Sequence, residues 1–83
     1  MTTFDTVKGM SEVKITQKDI ALGKRIRRLR KAAGLTQEQL AEKVRVSTTH
    51  IGLVETGKRR ISLQALQRVA SALGVKTGEL LPF

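Results

Sequence analysis

The 83-residue chain contains no cysteine, no tryptophan and no tyrosine, and only one proline. Without cysteine there are no disulfides and no thiolate metal ligands, which suits a reducing compartment. The two aromatic residues, Phe4 and Phe83, are too few to form the stacking platforms of proteins that bind single-stranded nucleic acid. No apolar run approaches the roughly 20 residues that span a bilayer, and the N-terminus lacks the pattern of a signal peptide. We therefore expect a cytoplasmic protein without a membrane-spanning segment.

The residue types that catalysis needs are also scarce. His50 is the only histidine, and no pair of carboxylates falls on the inward side of a predicted helix. Neither a nucleophile with its base nor a cluster of metal ligands can be assembled from these residues. We expect no enzyme activity, no cofactor and no bound metal. His50 itself is expected on the surface near the start of a helix, with a phosphate contact as the lesser alternative.

Positive charge is abundant: 16 lysines and arginines stand against 7 acidic residues, for a formal charge of +9. Residues 1–19 carry equal numbers of both signs, so the whole excess lies in residues 20–83. A basic domain of this size most often binds nucleic acid, although anionic membranes and acidic proteins attract it by the same long-range force. The scarcity of aromatic side chains favours a duplex, and hence double-stranded DNA, over single strands.

The chain divides into an N-terminal arm, residues 1–19, and one domain, residues 20–83. The arm shows no helical periodicity. Its segment Glu12–Thr16 alternates in polarity and is compatible with a short strand, but disorder is an equal alternative because a lone strand is only marginally stable.

Five helices are predicted in the domain from apolar periodicity and capping signals. Their expected bounds, in chain order, are Ile20–Ala33, Gln37–Val44, Thr48–Thr56, Leu63–Leu73 and Lys76–Leu81. The expected caps of helices two, three and four are Thr36, in a capping box with Gln39, then Ser47 and Ser62. The inward stripes of helices one and four are expected to be Leu22, Ile26, Leu29 and Ala33, and Leu63, Leu66, Ala70 and Leu73.

Two charged residues fall toward the predicted core. Arg30 projects about 70° from the centre of the apolar stripe of helix one, where a half-buried charge needs a partner. Glu55 lies on the core-facing side of helix three, so we predict a bidentate ion pair between Arg30 and Glu55. The remaining cations of helix one lie on its outer side and are interpreted as a solvated surface. These cations are Lys24, Arg27, Arg28 and Lys31.

The outer side of helix three is unusual because it combines an exposed leucine, Leu53, with small residues. Such a face suits a helix lying deep in a DNA major groove, where hydroxyls meet base edges and methyl groups meet thymine. Isolated exposed leucines are common, so the helical wheel alone leaves both interpretations open. The cations that follow, Lys58 to Arg60, either satisfy the last carbonyls of the helix or bind phosphates. Gln37 is either a donor to phosphate at a helix N-terminus or a surface glutamine without a role.

Taken together, the runs GLTQEQLAEKV, VS, IGLVETGKRRISLQALQRVASALGV and ELL resemble the DNA-binding domain of phage repressor, Cro and Xre-like transcriptional regulators. The resemblance covers about residues 20–81, including the loop lengths. It implies an all-α, five-helix, lambda-repressor-like bundle whose third helix enters the major groove while the second lies across the backbone. The base contacts that it implies are Thr48, Thr49, Gly52 and Leu53. The phosphate contacts are Gln37, Ser47, Thr56 and Lys58, with Arg59 and Arg60 as helpers. The resemblance does not extend to Arg45, but its side chain is a further candidate for a phosphate contact. The Arg30–Glu55 pair stands where that family often has one.

The sequence departs from this family at three points. Arg45 replaces the usual glycine of the turn between helices two and three, and a left-handed backbone there costs a non-glycine residue on the order of 1 kcal/mol. Lys76 replaces a capping serine or threonine, which predicts a weak start for helix five. Threonine and leucine replace long polar side chains on helix three, so operator sequences of relatives do not transfer to this chain.

These observations predict a homodimeric, sequence-specific transcriptional regulator on a palindromic operator with half-sites about one helical turn apart. Repression by occupying a promoter and activation by contacting RNA polymerase both remain open. The dimer contact is expected at Leu80, Leu81 and Phe83, because an apolar end otherwise stays exposed to water. Two alternatives are an antitoxin that silences a partner protein, a toxin, with residues 1–19 as its docking arm, and a non-specific DNA coater.

Overall fold

The computed structural model describes residues 14–82, and this part of the chain folds into five helices without a strand. The all-α prediction is therefore confirmed. We label the helices α1 to α5; their bounds are Gln17–Ala32, Gln37–Val44, Thr48–Glu55, Leu63–Leu73 and Thr77–Leu80. Most of the predicted arm lies outside the described residues, and so do the first two residues of the strand considered at Glu12–Thr16; its last three residues are described and form no strand.

Helix α1 begins three residues earlier than predicted, at Gln17 instead of Ile20. Thr16 caps it by accepting a hydrogen bond from the Asp19 N–H at 3.2 Å, and the Asp19 carboxylate accepts from the Thr16 N–H at 2.9 Å. This is a capping box with aspartate in the place of the usual glutamate or glutamine, which is why the sequence pattern did not reveal it. The last three residues of the predicted arm thus belong to α1.

The caps of the next three helices are confirmed. Thr36 and Gln39 form the predicted capping box, with N–H to side-chain oxygen distances of 2.9 and 3.0 Å. Ser47 accepts from the His50 N–H at 3.0 Å, and Ser62 accepts from the Ala65 N–H at 3.1 Å. Each cap satisfies one of the backbone donors that a helix start leaves without a partner. Helix α5 starts more weakly: its cap residue, Lys76, provides no side-chain acceptor.

The core is small and lies where α1, α3 and α4 meet α2 and α5. Its buried apolar residues are Leu22, Ile26, Leu40, Ala41, Val44, Ile51, Val54, Ala65, Leu66, Val69, Ala70 and Leu80. Of the predicted stripes, Leu29 and Leu73 are only partly buried and pack against this core, and two further residues do not belong to it. Ala33 is exposed at the end of α1, and Leu63 is 67% exposed. Leu63 lies about 90° from the centre of the buried stripe of α4, which is formed by Ala65, Leu66, Val69 and Ala70 instead.

A buried glycine lets α1 and α3 approach each other closely. A Cβ atom on Gly23 would lie 2.1 Å from the carbonyl oxygen of Val54 and 3.2 Å from that of Glu55. No larger residue fits there without moving one of the helices. The contact holds the C-terminal half of α3 directly against α1. Among the described residues, no helix is long and apolar enough to cross a membrane.

Candidate nucleic-acid interface

Helices α2 and α3 are joined by a tight turn that has the left-handed residue anticipated from the sequence. Arg45 has φ 66° and ψ 43° and is the only non-glycine residue with positive φ in the described part of the chain. The Val46 N–H donates to the Ala41 carbonyl at 3.1 Å, which closes the end of α2. The Arg45 side chain is exposed beside the start of α3.

Helix α3 has one buried and one accessible side. Ile51, Val54 and Glu55 are buried, whereas Thr48 and Thr49 are exposed. Gly52 and Leu53 are partly exposed. The accessible side therefore consists of two hydroxyls, one backbone surface without a side chain, and one leucine. These groups are short enough for another molecule to approach the helix closely.

The buried side of α3 is held by a network of charged and polar groups. The Arg30 guanidinium donates to both carboxylate oxygens of Glu55, with Nε–Oε2 at 2.6 Å and Nη2–Oε1 at 3.1 Å. The Arg30 Nη1 atom also donates to the Leu35 carbonyl at 2.7 Å, and Gln37 Nε2 donates to Glu55 Oε1 at 3.0 Å. Arg30 and Glu55 are only 6% and 3% exposed. The ion pair expected from the sequence is present, with Gln37 as an additional member that the sequence did not indicate.

This network fixes the orientation of α3 relative to its two neighbours. Arg30 belongs to α1, Leu35 to the connection after it, Gln37 to the first turn of α2 and Glu55 to α3. A bidentate pair is directional, because both hydrogen bonds require the planes of guanidinium and carboxylate to align. Glu55 accepts two hydrogen bonds from Arg30 and one from Gln37. These three bonds hold α3, and with it the accessible face, in a fixed orientation.

A helix-turn-helix family model matches residues 26–80 of the chain, which includes both helices of this unit and the ion pair. The chain belongs to the helix-turn-helix family. An immunity repressor of Bacillus phage phi105 is 38% identical over 61 residues, which cover 74% of this chain and 42% of that repressor. The restriction-modification controller protein C.AhdI of Aeromonas hydrophila has a TM-score of 0.72 and 39% identity, covering 75% of this chain and 94% of that one.

A third similar protein, SinR, the master regulator for biofilm formation, has been solved in complex with DNA. Its TM-score is 0.67 at 32% identity, with 71% of this chain and 95% of that chain covered. The chain described here is thus a DNA-binding transcriptional regulator of the helix-turn-helix type and not an enzyme. In the terms of this family, α2 and α3 are the helix-turn-helix unit and α3 is the recognition helix.

The cations after the recognition helix are not needed to close it. The backbone N–H groups of Thr56, Gly57 and Lys58 donate to the carbonyls of Gly52, Val54 and Leu53 at 3.1, 3.1 and 2.8 Å. Within residues 14–82 the side chains of Lys58 and Arg59 form no hydrogen bond or ion pair. Of the two interpretations of these cations, the capping one is therefore wrong.

The other residues predicted to bind phosphate differ in whether their hydrogen-bond donors are already engaged within the protein. Ser47 accepts a capping hydrogen bond, which leaves its hydroxyl proton available. The Thr56 hydroxyl donates to the Gly52 carbonyl at 2.8 Å, so its single proton is engaged within the helix. Arg60 lies near Asp19, with Nε–Oδ1 at 3.4 Å, at the start of α1. The geometry weakens the expectation for Thr56 and Arg60.

His50 is not the simple surface residue that was expected. It is partly buried, and its Nε2 atom is shielded from solvent without a hydrogen-bond partner. Burial lowers the pKa of His50 below its ordinary value, and the nearby charge of Arg59 lowers it further. The neutral imidazole is therefore the form that the fold favours.

The expected dimer contact needs one correction. Leu80 is fully buried in the core of its own chain and has no surface to offer a partner. Leu81 is 37% exposed, and Phe83 lies outside the described residues. The sequence pattern placed Leu80 at the tip because it treated α5 as an isolated turn, whereas α5 packs against α4 and α1.

Sequence reasoning missed two structural contributors to the site. Gly23 allows the close crossing of α1 and α3, and a glycine in the middle of a helix is the signal that indicates such a contact. Gln37 joins the ion pair across 18 positions of sequence, and no local pattern indicates that bond. No group of three or more metal-ligating side chains lies among residues 14–82.

Proposed function

We propose that this protein is a sequence-specific repressor that binds double-stranded DNA as a homodimer. The observation that carries the proposal is the rigid mounting of α3: its accessible side has short side chains, and its buried side is attached to α1 and α2 through Glu55. A rigid helix with short side chains can lie deep in a major groove about 12 Å wide. The formal charge of +9 supplies the attraction to phosphate.

Four residues on the accessible face of α3 contact the bases in this proposal. Thr48 and Thr49 present hydroxyls that donate to or accept from base edges, and Leu53 presents methyl groups to the methyl of thymine. Gly52 allows close approach of the backbone. A Cβ atom built on Gly52 would lie 3.7 Å from Gln37 Oε1, so the Gln37 carboxamide at the start of α2 borders the same face.

The residues proposed for phosphate binding surround this face. Ser47 offers a hydroxyl proton, and Lys58 and Arg59 offer unpaired charges after α3. Gln37 uses one amide proton on Glu55 and has a second for a phosphate at the N-terminus of α2. Arg45 extends from the turn and offsets part of its left-handed strain by such a contact. Arg60 and Thr56 contribute less, because Arg60 lies near Asp19 and the Thr56 hydroxyl donates to the Gly52 carbonyl.

We propose that the homodimer forms at the end of α5 through Leu81 and that it presents two recognition helices about one helical turn of DNA apart, as dimers of this family do. Such a dimer reads a palindromic operator. Repression by promoter occupancy is supported by the similar phage immunity repressor, and a controller role like that of C.AhdI is the nearest variant of the same activity. The antitoxin alternative depended on residues 1–19, most of which lie outside the described residues, and we do not propose it.

Selection from random DNA duplexes, followed by sequencing, tests the proposal. The expected result is one palindromic site bound at least about 10³-fold more tightly than unrelated DNA. A non-specific coater would return no preferred sequence, and recovery of random sequence would therefore contradict the proposal. Selection with the Thr49→Ala variant is the matched control, because it should return a site altered only at the positions that α3 contacts.

A further inference from the structure

An open groove of about 490 Å³ lies between the outer face of α1 and the end of the recognition helix. The α1 side of the groove is basic and the α3 side is formed by Glu55 and Thr56. The residues of α1 that line it are Ile20, Lys24, Arg27, Arg28 and Lys31. From their positions on the helix alone, these four cations are expected to form a solvated surface.

These four cations repel one another, and no acidic side chain of the described residues pairs with them. They occupy positions i, i+3, i+4 and i+7 of one helix, so each faces a like charge one turn away. All four are exposed, and none forms an ion pair within residues 14–82. The only acidic residue lining the groove is Glu55, whose carboxylate is already bound by Arg30 and Gln37. The groove is therefore strongly positive.

The groove also has a definite position relative to the recognition helix. The Gly23 contact holds α1 directly against Val54 and Glu55, so its basic face runs beside the C-terminal end of α3. A helix in the major groove has a phosphate backbone on each side. Gln37 donates to Glu55, so the N-terminus of α2 and the outer face of α1 both lie beside the C-terminal end of α3, whereas the turn at Arg45 lies at its start.

We propose that this groove, formed by Lys24, Arg27, Arg28 and Lys31, binds the DNA backbone just outside the half-site that α3 reads. The inference rests on the proposed function and adds a second phosphate-binding surface to it. Charge complementarity favours this occupant, because a phosphate backbone repeats its charge at regular short intervals along the face, as the four cations do. The groove thus extends the contacted length of DNA without reading further bases.

Two double variants with equal loss of charge test the proposal. Arg27→Gln with Lys31→Gln removes half of the cations of the groove. Lys43→Gln with Arg68→Gln removes two exposed cations of α2 and α4 that do not line it. Each protein is titrated, at several salt concentrations, with two duplexes that carry the selected operator. One duplex ends at the outer edges of the operator, and the other continues for one helical turn on each side.

On the long duplex, the groove variant should lower the slope of log affinity against log salt concentration by about 1.8, which is the loss of two phosphate contacts. On the short duplex, groove and control variants should bind alike. Equal slopes for both variants on the long duplex would overturn the proposal while leaving the proposed function intact. Equal weakening on both duplexes would also overturn it, because the cations would then act within the half-site.

The remaining outcomes are equally decisive. If selection returns no preferred operator, the proposed function fails and the inference falls with it. Thermal unfolding of the groove variant separates folding from binding: its melting temperature should equal or exceed that of the wild type, because like-charge repulsion on α1 is reduced. A lower melting temperature would show a structural role for these cations and contradict the proposal. Lys24→Gln with Arg28→Gln is the second variant and should reproduce the result.

Discussion

Glu55 is the residue on which the geometry of the recognition helix depends most. Its two carboxylate oxygens accept hydrogen bonds from Arg30 and Gln37, and its own helix carries the accessible face. A buried ion pair is not by itself a large source of stability, because both charges lose their hydration. Removing only one partner of the pair is strongly destabilising, because the remaining charge is then buried without a partner.

Replacing Glu55 by alanine should therefore lower the free energy of unfolding by about 3–5 kcal/mol, because Arg30 remains buried without its carboxylate. Urea unfolding followed by far-UV circular dichroism measures this, since the chain has no tryptophan or tyrosine for fluorescence. Glu42→Ala, at an exposed position of α2, is the control and should stay within about 0.5 kcal/mol of wild type. A similarly small change for Glu55→Ala would contradict the role assigned to the pair.

Gly23 provides a second test at a single position. In Gly23→Ala the new methyl group would meet the Val54 carbonyl oxygen at 2.1 Å, which forces α1 and α3 apart. We expect a loss of about 1–3 kcal/mol or more. Gly78→Ala is the matched control, because a Cβ atom there has nothing within 4 Å, and it should be neutral or slightly stabilising. The same urea titration compares the two, and equal effects would refute the close crossing.

His50 should make the stability depend on pH. The folded state lowers the pKa of His50 below 6.5, by burial first and by Arg59 second. Between that lowered pKa and about 6.5, the unfolded chain binds more protons than the folded one, so stability falls as the pH falls through this window and is fully present above it. Urea midpoints from pH 8 to pH 5 measure the effect, and His50→Gln should flatten the curve.

Asp19 does not interfere in that range. The backbone hydrogen bond from Thr16 is the main cause that lowers the pKa of Asp19 below its ordinary value of 3.8, so it titrates only in stronger acid. Parallel curves for wild type and His50→Gln would show that the imidazole is equally solvated in both states.

At the scale of elements, the recognition helix owes its structure to its neighbours. Eight residues are too few for a stable helix in water, and α3 has no acidic residue in its first turn. The Ser47 cap, the Gly23 crossing and the ion pair supply what local propensity does not. Because the crossing and the ion pair lie on the buried side and the cap lies before the first residue of the helix, substitutions of the accessible residues within α3 should change binding with little effect on folding.

Substitutions on this helix and beside it should therefore separate specificity from affinity. Thr49→Ala or Leu53→Ala should change operator preference by roughly 1–3 kcal/mol at the contacted base pair, because a base contact is lost. Lys58→Ala should weaken all DNA alike and lower the salt slope by about 0.9. Fluorescence anisotropy with the operator, single base-pair variants and unrelated DNA distinguishes these effects. If the three variants weakened every duplex equally, α3 would not be the reading element.

Much of the element level was predictable from the sequence. The starts of α2, α3 and α4 matched because their caps act within three residues, so the signal and its effect lie in the same short stretch. The start of α1 was missed because aspartate took the place of glutamate in its capping box. The Arg30–Glu55 pair was predictable because two inward charges of opposite sign in so small a core leave few choices of partner.

At the scale of the whole molecule, oligomeric state depends on the few apolar groups that the core leaves exposed. Leu63 and Leu81 are the large apolar residues exposed in the described part of the chain. A dimer through the end of α5 predicts that Leu81→Asp produces a monomer, whereas Leu63→Asp, at the first position of α4, leaves the dimer unchanged. Analytical ultracentrifugation compares the two variants. A dimer that survives Leu81→Asp but not Leu63→Asp would move the interface to α4.

The sequence by itself determined the helical class, the turn at Arg45, the helix caps and the excess of positive charge, because each is set by neighbouring residues or by composition. Tertiary structure alone decided which apolar residues are buried, and it reversed the expectations for Leu63 and Leu80. It also joined Gln37 to Glu55 and placed the basic face of α1 beside the end of α3. The physical reason is that burial and long-range contacts depend on how separate helices pack against one another, and periodicity within one helix carries no information about its neighbours.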